Sequence, residues 1–252
     1  MSLLAISDLS VTRRGRSILR DVSLTIDAGE VVGLIGGNGA GKTTLMRAAL
    51  GLIGFDGRSS LADMPLRVRA KQAAWLPQAR ELAWPVDVQT VVTLGRIPHL
   101  AAGQRPTQAD QAAVDTALHE MGLDAMRHRT VTRLSGGEQA RVLIARTLAQ
   151  GTPLVMADEP IAGLDPGHQI STMKIFAGMA KQGKSALVSL HDLGLAARHC
   201  TRLVLLGEGR IVADGPPQSV LSTDNLRRHF AITAHFEHTP HGPIFQPLEV
   251  LE

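Results

Sequence analysis

The run from Gly36 to Thr44, Gly-Gly-Asn-Gly-Ala-Gly-Lys-Thr-Thr, constrains this chain more than any other feature. It follows the short apolar run Val31 to Ile35, which reads as a buried strand. It precedes Lys42 to Leu50, which reads as a helix stopped by Gly51. Glycines at such spacing admit positive φ, so successive backbone N–H groups can converge into a concave nest at the positive end of a helix dipole. The ligand that suits such a nest is a polyphosphate. Gly36, Asn38, Gly39, Ala40, Gly41, Lys42, Thr43 and Thr44 would form the cradle. Lys42 would reach the outer phosphates, and the Thr43 hydroxyl would complete the oxygen shell of a Mg²⁺ ion. A plain turn would need neither the strand before the loop nor the helix after it.

The rest of the chain supplies the other layers of such a fold. Leu3 to Leu9 and Ile18 to Ile26 read as an N-terminal antiparallel β region. Beyond the loop, the strands Leu154 to Ala157 and Ser185 to Leu190 flank a helix. That helix starts with Asp165 as N-cap and Pro166 at its first position, and it carries Ile170, Met173, Phe176, Ala177 and Ala180 on one face. This alternation predicts an α/β fold: a phosphate-loop core with a mostly parallel sheet. One stretch breaks the rhythm. From about Val88 to Gln150 the pattern is helical without strands, including a helix capped by Thr107 with Val114, Ala117, Leu118 and Met121 on one face. It reads as a helical subdomain inserted into one domain spanning residues 1–252. Gly207-Glu208-Gly209 predicts a hairpin, and the turn at Thr239 to Pro243 predicts a second.

Asp158 and Glu159 end the strand in LVMADEP. Successive side chains leave a strand in opposite directions, so Asp158 is suited to hold Mg²⁺ and Glu159 to activate a water as general base. Read alone, Asp-Glu-Pro is equally a polar helix start. LSGGEQ, Leu134 to Gln139, adds Ser135 and Glu138 at capping-box spacing around Gly136 and Gly137, which is a second anion site or merely a helix start.

With these motifs assembled, the chain resembles the ABC ATPase family over essentially its whole length. Six motifs stand in family order: the phosphate loop, Gln78 in LPQ, LSGGEQ, the strand ending Asp158-Glu159, GLDP at Gly163 to Pro166, and His191. The resemblance implies hydrolysis of ATP with Mg²⁺ held by Thr43, Asp158 and Gln78. Glu159 would act as base, and His191 and Gln78 would contact the terminal phosphate or the attacking water. It also implies a head-to-tail dimer in which Ser135, Gly136, Gly137 and Glu138 of one copy face the nucleotide of the other, with Asp165 at the interface. Singly, Gln78 and His191 are also ordinary polar loop residues, and Asp165 is also a helix cap.

Two positions depart from the family pattern. Arg13 stands where an aromatic residue usually stacks on adenine, and the sequence has no Tyr. A guanidinium of Arg13 or Arg14 stacks well on a π face, or is simply solvated. Gly37 replaces a more common Pro. Elsewhere, His235, His238 and His241 lack the Cys or carboxylate partners of a usual metal site. Cys200 and the two tryptophans, Trp75 and Trp84, read as packing residues, the tryptophans with permease contact as an alternative.

Function classes are narrowed by what is missing. No apolar run reaches the roughly 18 to 20 residues of a membrane helix. One cysteine permits no internal disulfide, and a net charge of +3 with dispersed arginines points to no nucleic-acid partner. The opening residues have no signal-peptide pattern. A single nucleotide unit without a tandem copy or sustained heptads fits a transporter subunit better than a translation factor or a chromosome ATPase. Segments after Gln78 and around His191 are similar to the ATPases of iron-chelate, haem and cobalamin importers, and the chain lacks a large C-terminal regulatory domain. The expectation is therefore an importer ATPase on the cytoplasmic face of the inner membrane, working with a second copy, a separate permease and a periplasmic or surface binding protein. Other cargoes, or an exporter, fit the same residues.

Overall fold

A computed structural model describes residues 2–78, 82–240 and 242–251. Strands β1 (Ser2–Arg13) and β2 (Arg16–Asp27) bury Leu4, Ile6, Leu9 and Val11 and Leu19, Val22, Leu24 and Ile26. The spacing breaks strict alternation because Asp8 and Asp21 take positive φ at register shifts, which return the following apolar residues to the inner face. After β3 (Val31–Ile35) and α1 (Lys42–Ala49), the short β4 (Asp56–Ser59) joins β1 to make a three-stranded antiparallel sheet, order β2-β1-β4.

The chain continues through α2 (Leu66–Gln72), β5 (Ala73–Leu76), α3 (Val88–Thr93), a 3₁₀ turn at Leu94–His99, α4 (Gln108–Glu120) and α5 (Gly136–Ala149). It then returns to the sheet with β6 (Leu154–Asp158), α6 (Pro166–Lys181), β7 (Ser185–Ser189), α7 (Leu193–His199), β8 (Arg202–Gly207) and β9 (Arg210–Gly215). The central sheet has the order β5-β6-β7-β3-β8-β9, parallel except for β9 at one edge. Helices α8 (Pro217–Val220) and α9 (Thr223–Phe230) lead to a closing hairpin of β10 (Ile232–Thr239) and β11 (Gly242–Val250).

Period-two alternation divides the sheet residues between two cores. Val32, Leu34, Leu154, Met156, Leu187, Val204 and Leu206 pack with α1 and the antiparallel sheet. Val31, Ile35, Val155, Ala157, Ala186, Val188 and Leu205 pack with α3 to α7. The central strands are buried on both faces, which is why they read as unbroken apolar runs. Each fully buried Leu, Ile or Phe stabilises the fold by about 1.5–3 kcal/mol.

Local signals match their elements. Thr107 and Asp110 form a capping box on α4, and Asp165 caps α6 with Pro166 at its first position. Both expected hairpins form. Two expectations fail. Trp84 is 71% exposed rather than packed, whereas Trp75 packs half-buried against the first core. On α6 the buried stripe is Thr172, Met173, Phe176 and Ala180, so Ile170 falls outside it and is exposed. Tertiary contact with the sheet, rather than the helix's own periodicity, decides which stripe turns inward. Among the described residues, no helix is long and apolar enough to cross a membrane.

Candidate functional site

The loop after β3 is shaped by its glycines. Gly36, Gly39 and Gly41 have φ of 145°, 79° and 106°. A Cβ on Gly36 would lie 2.2 Å from the Leu206 carbonyl oxygen, and one on Gly41 would lie 2.8 Å from Leu19 Cδ2. At Gly36 glycine is therefore required by space as well as by backbone angle, while at Gly39 and Gly41 the backbone angle favours it, and β2 and β8 form the wall on which the loop rests. Lys42 is buried at the loop's end, and its Nζ donates to the carbonyls of Gly36 (2.7 Å) and Gly37 (3.2 Å). Burial lowers its pKa, while the nearby Glu159 and Asp158 charges oppose that shift.

The carboxylates diverge, though not by the strand alternation the sequence suggests, because β6 ends at Asp158 and Glu159 lies beyond it. Asp158 is buried and accepts from Thr43 Oγ1 (2.6 Å) and Ser189 Oγ (2.6 Å). Glu159 stands in the left-handed region at φ 50°, which turns its side chain toward His191, whose Nε2 lies 2.7 Å from Oε1. The Glu159 N–H donates to Ser189 Oγ at 2.8 Å. Ser189 thus orients both carboxylate residues, a role no sequence motif assigned to it. It faces Asp158 because β6 and β7 pair in parallel with those two residues in register. Its only local signal is its place immediately before Leu190-His191 at a strand end.

A cleft of about 350 Å³ is lined by Ile18, Asn38, Gly39, Ala40, Gly41, Lys42, Thr43, Thr44, Gln78, Glu159 and His191. The fold therefore gathers the phosphate-loop residues with three other expected site residues, Gln78, Glu159 and His191, and it places them at the C-terminal ends of parallel strands, where α/β sheets bind ligands. Asp158 lies behind Thr43. A carboxylate in direct contact with a hydroxyl is a hard oxygen donor pair, and it fits a magnesium ion. Arg13 does not line the cleft. With Thr12, Arg14 and Arg16 it borders a broad groove that meets the cleft at Ile18.

Ser135, Gly136, Gly137 and Glu138 lie elsewhere on the chain and do not line the cleft. They form the N-terminus of α5, closed by a capping box: Ser135 N–H donates to Glu138 Oε2 (2.7 Å), and Glu138 N–H to Ser135 Oγ (3.3 Å). The Ser135 backbone hydrogen bond holds the Glu138 pKa below its usual value. Ser135 and Gly136 are exposed, and neither glycine has a crowded Cβ position. Asp165 is also exposed and accepts from the His168 backbone (3.0 Å) and ring (2.5 Å).

The remaining candidates resolve simply. Cys200 is buried, and burial pushes its thiol up to about 12, so it packs rather than reacts. His235 bonds Glu237, and His238 stacks edge-on with Phe236; three residues apart on β10, the two histidines point to opposite faces. His241 lies outside the described residues. Among those described, no group of three or more His, Cys, Asp or Glu side chains is arranged for a metal.

Comparison with known proteins places these features in context. The family described as ABC transporter matches residues 19–162. A hemin import ATP-binding protein HmuV of Pseudomonas aeruginosa is 40% identical over 252 residues, covering 94% of this chain and 96% of that protein. A cobalamin import ATP-binding protein BtuD of Halobacterium salinarum is 39% identical over 234 residues, covering 90% of this chain. The chain spans only 58% of that relative's length. Among solved structures, a chain of an inward-facing transporter described as of metal-chelate ABC type superposes with TM-score 0.85 at 22% identity, covering 99% of this chain and 98% of that one. An ATP-binding subunit of an ABC transporter superposes with TM-score 0.75 at 29% identity, covering 90% and 92%.

Proposed function

This chain belongs to the ABC transporter family, and from that premise we propose that it is the ATP-binding and ATP-hydrolysing subunit of an importer. Its cargo would be of the iron-chelate, haem or cobalamin type, carried by a separate permease. The observation that carries the reading is the single cleft in which Lys42 and Thr43 meet Gln78, Glu159 and His191.

In this reading, the loop amides and Lys42 bind the phosphate tail, and Arg13 or Arg14 stacks on the adenine in the groove beyond Ile18. Thr43 and Asp158 would hold magnesium, with Gln78 at the rim. When bound, that ion neutralises charge on the outer phosphates. Glu159 accepts the proton of the attacking water, and His191, hydrogen-bonded to Glu159, holds that carboxylate in position and faces the same cleft.

Exposure of Ser135 and Gly136 away from the cleft supports a composite site, with the α5 N-terminus of a second copy closing over the nucleotide and Asp165 beside it. The helical stretch 88–150 would move as an inserted subdomain against the sheet. A permease contact is supported by a groove of about 840 Å³ between residues 66–72 and 97–104, where Leu66, Val68 and Ile97 are exposed beside Arg67 and Lys71. The chain would then work at the cytoplasmic face of the membrane, with a binding protein delivering cargo from outside.

The test is the Glu159→Gln chain. It should bind ATP like the unaltered chain, accumulate a closed dimer and lose turnover by about 10² to 10⁴-fold. Full turnover in that variant removes Glu159 from the base role. No magnesium-dependent turnover in the unaltered chain overturns the ATPase reading.

A further inference from the structure

One residue at the far end of α5 touches both walls of the proposed permease groove. Gln150 caps the helix, and its main-chain carbonyl accepts from His99 Nε2–H (2.8 Å) and Arg96 Nη1 (3.2 Å). Arg96 also donates to the Ala149 carbonyl (2.7 Å) and pairs with Asp110 at the start of α4 (2.9 Å). These contacts fasten the 94–104 wall to α5. Gly95 reinforces them, because a Cβ there would lie 2.2 Å from the Arg146 carbonyl oxygen, so the 3₁₀ turn rests directly on the helix backbone. The Gln150 side chain turns the other way. Its Nε2 donates to the carbonyls of Ala70 (2.7 Å) and Ala73 (3.4 Å). Ala70 belongs to the α2 wall, and Ala73 begins β5, the strand that runs to Leu76 just before Gln78.

Resting on the reading above, we infer that Gln150 is a positioning residue that converts occupancy of the groove into movement at both nucleotide-contacting elements. A segment that shifts the two walls pulls on one residue. From it, β5 carries the displacement to Gln78 in the cleft, and α5, about 21 Å long at 1.5 Å per residue, carries it to the Ser135–Glu138 end. A packed helix transmits an end displacement as a rigid body because its interior does not compress.

Coupling between two sites is reciprocal, so it is readable from the nucleotide side without the permease. Hydrogen exchange of the purified chain is measured with and without a non-hydrolysable ATP analogue and magnesium. In the unaltered chain, nucleotide should slow exchange at 36–44 and change it by about threefold or more at both walls, 66–76 and 94–104. Gln150→Leu, which removes the amide, and the isosteric Gln150→Glu, which replaces the donor with an anionic oxygen facing the same carbonyls, should keep the response at 36–44 and lose it at the 66–76 wall. Gln150→Lys, which retains a donor, should restore it. A residue that merely stabilised the fold would raise exchange equally with and without nucleotide. Wall responses unchanged in both Gln150→Leu and Gln150→Glu, or absent from the unaltered chain, overturn the inference. A chain whose 36–44 amides ignore the nucleotide overturns instead the reading on which it rests.

Discussion

Asp158 and Glu159 are neighbours in the chain, yet they meet different partners because one backbone angle parts them. The left-handed conformation of Glu159 costs about 1–2 kcal/mol for a residue bearing a Cβ. Its N–H bond to Ser189 Oγ offsets about 1 kcal/mol of that, and the same hydroxyl satisfies one oxygen of the buried Asp158. Ser189→Ala should therefore leave ATP affinity close to that of the unaltered chain while lowering kcat about 10 to 100-fold, the usual range for a residue that orients a primary group. Steady-state kinetics decide it, and an unchanged kcat would reduce Ser189 to a packing contact. The motif residues were legible in the sequence because each sits in a local pattern. Ser189 was not, because its partners are 31 and 30 residues away and meet it only through strand pairing.

At the level of elements, caps were the most readable feature, since a capping box is written within four consecutive residues. Thr107 and Ser135 close their helices as their spacing predicts. Strands β4 and β5 were missed. The first, Asp-Gly-Arg-Ser, has no apolar alternation, and the second is four residues long and defined by its neighbour β6. The α4 cap has a pH signature. Hydrogen bonds from Thr107, with Arg96 beside it, depress the Asp110 pKa from 3.8 to about 2. A depressed carboxylate pKa stabilises the fold fully above 3.8, and that contribution is lost as pH falls through about 2. Between these values, the unfolding temperature of the unaltered chain should fall more steeply than that of Asp110→Asn. Parallel slopes in thermal unfolding would mean that the cap bonds form equally in the unfolded chain.

Across the whole molecule, the sheet separates two kinds of work. One face carries the antiparallel strands and α1, which back the phosphate cradle; the other carries the helices that present the α5 N-terminus away from the cleft. If two copies complete each other's sites, neither a Lys42→Ala chain nor a Ser135→Arg chain should hydrolyse ATP alone. Mixing them should recover a fraction of the activity, because one composite site in the mixed dimer is intact. No recovery over a range of mixing ratios counts against the head-to-tail arrangement. By itself the sequence determined the phosphate loop, the helix caps and the apolar strands, because these depend on backbone angles, hydrogen bonds and periodicities spanning a few residues. Tertiary structure alone decided that β7 lies between β3 and β6, that Ser189 therefore reaches both carboxylate residues, that Trp84 faces outward, and that Gln150 touches both groove walls. Each of these depends on which distant surfaces bury one another, and short-range pattern carries no information about that choice. The phosphate loop with which the chain declares itself is likewise a local instruction. Its setting among Gln78, Glu159 and His191 exists only once the parallel sheet has formed.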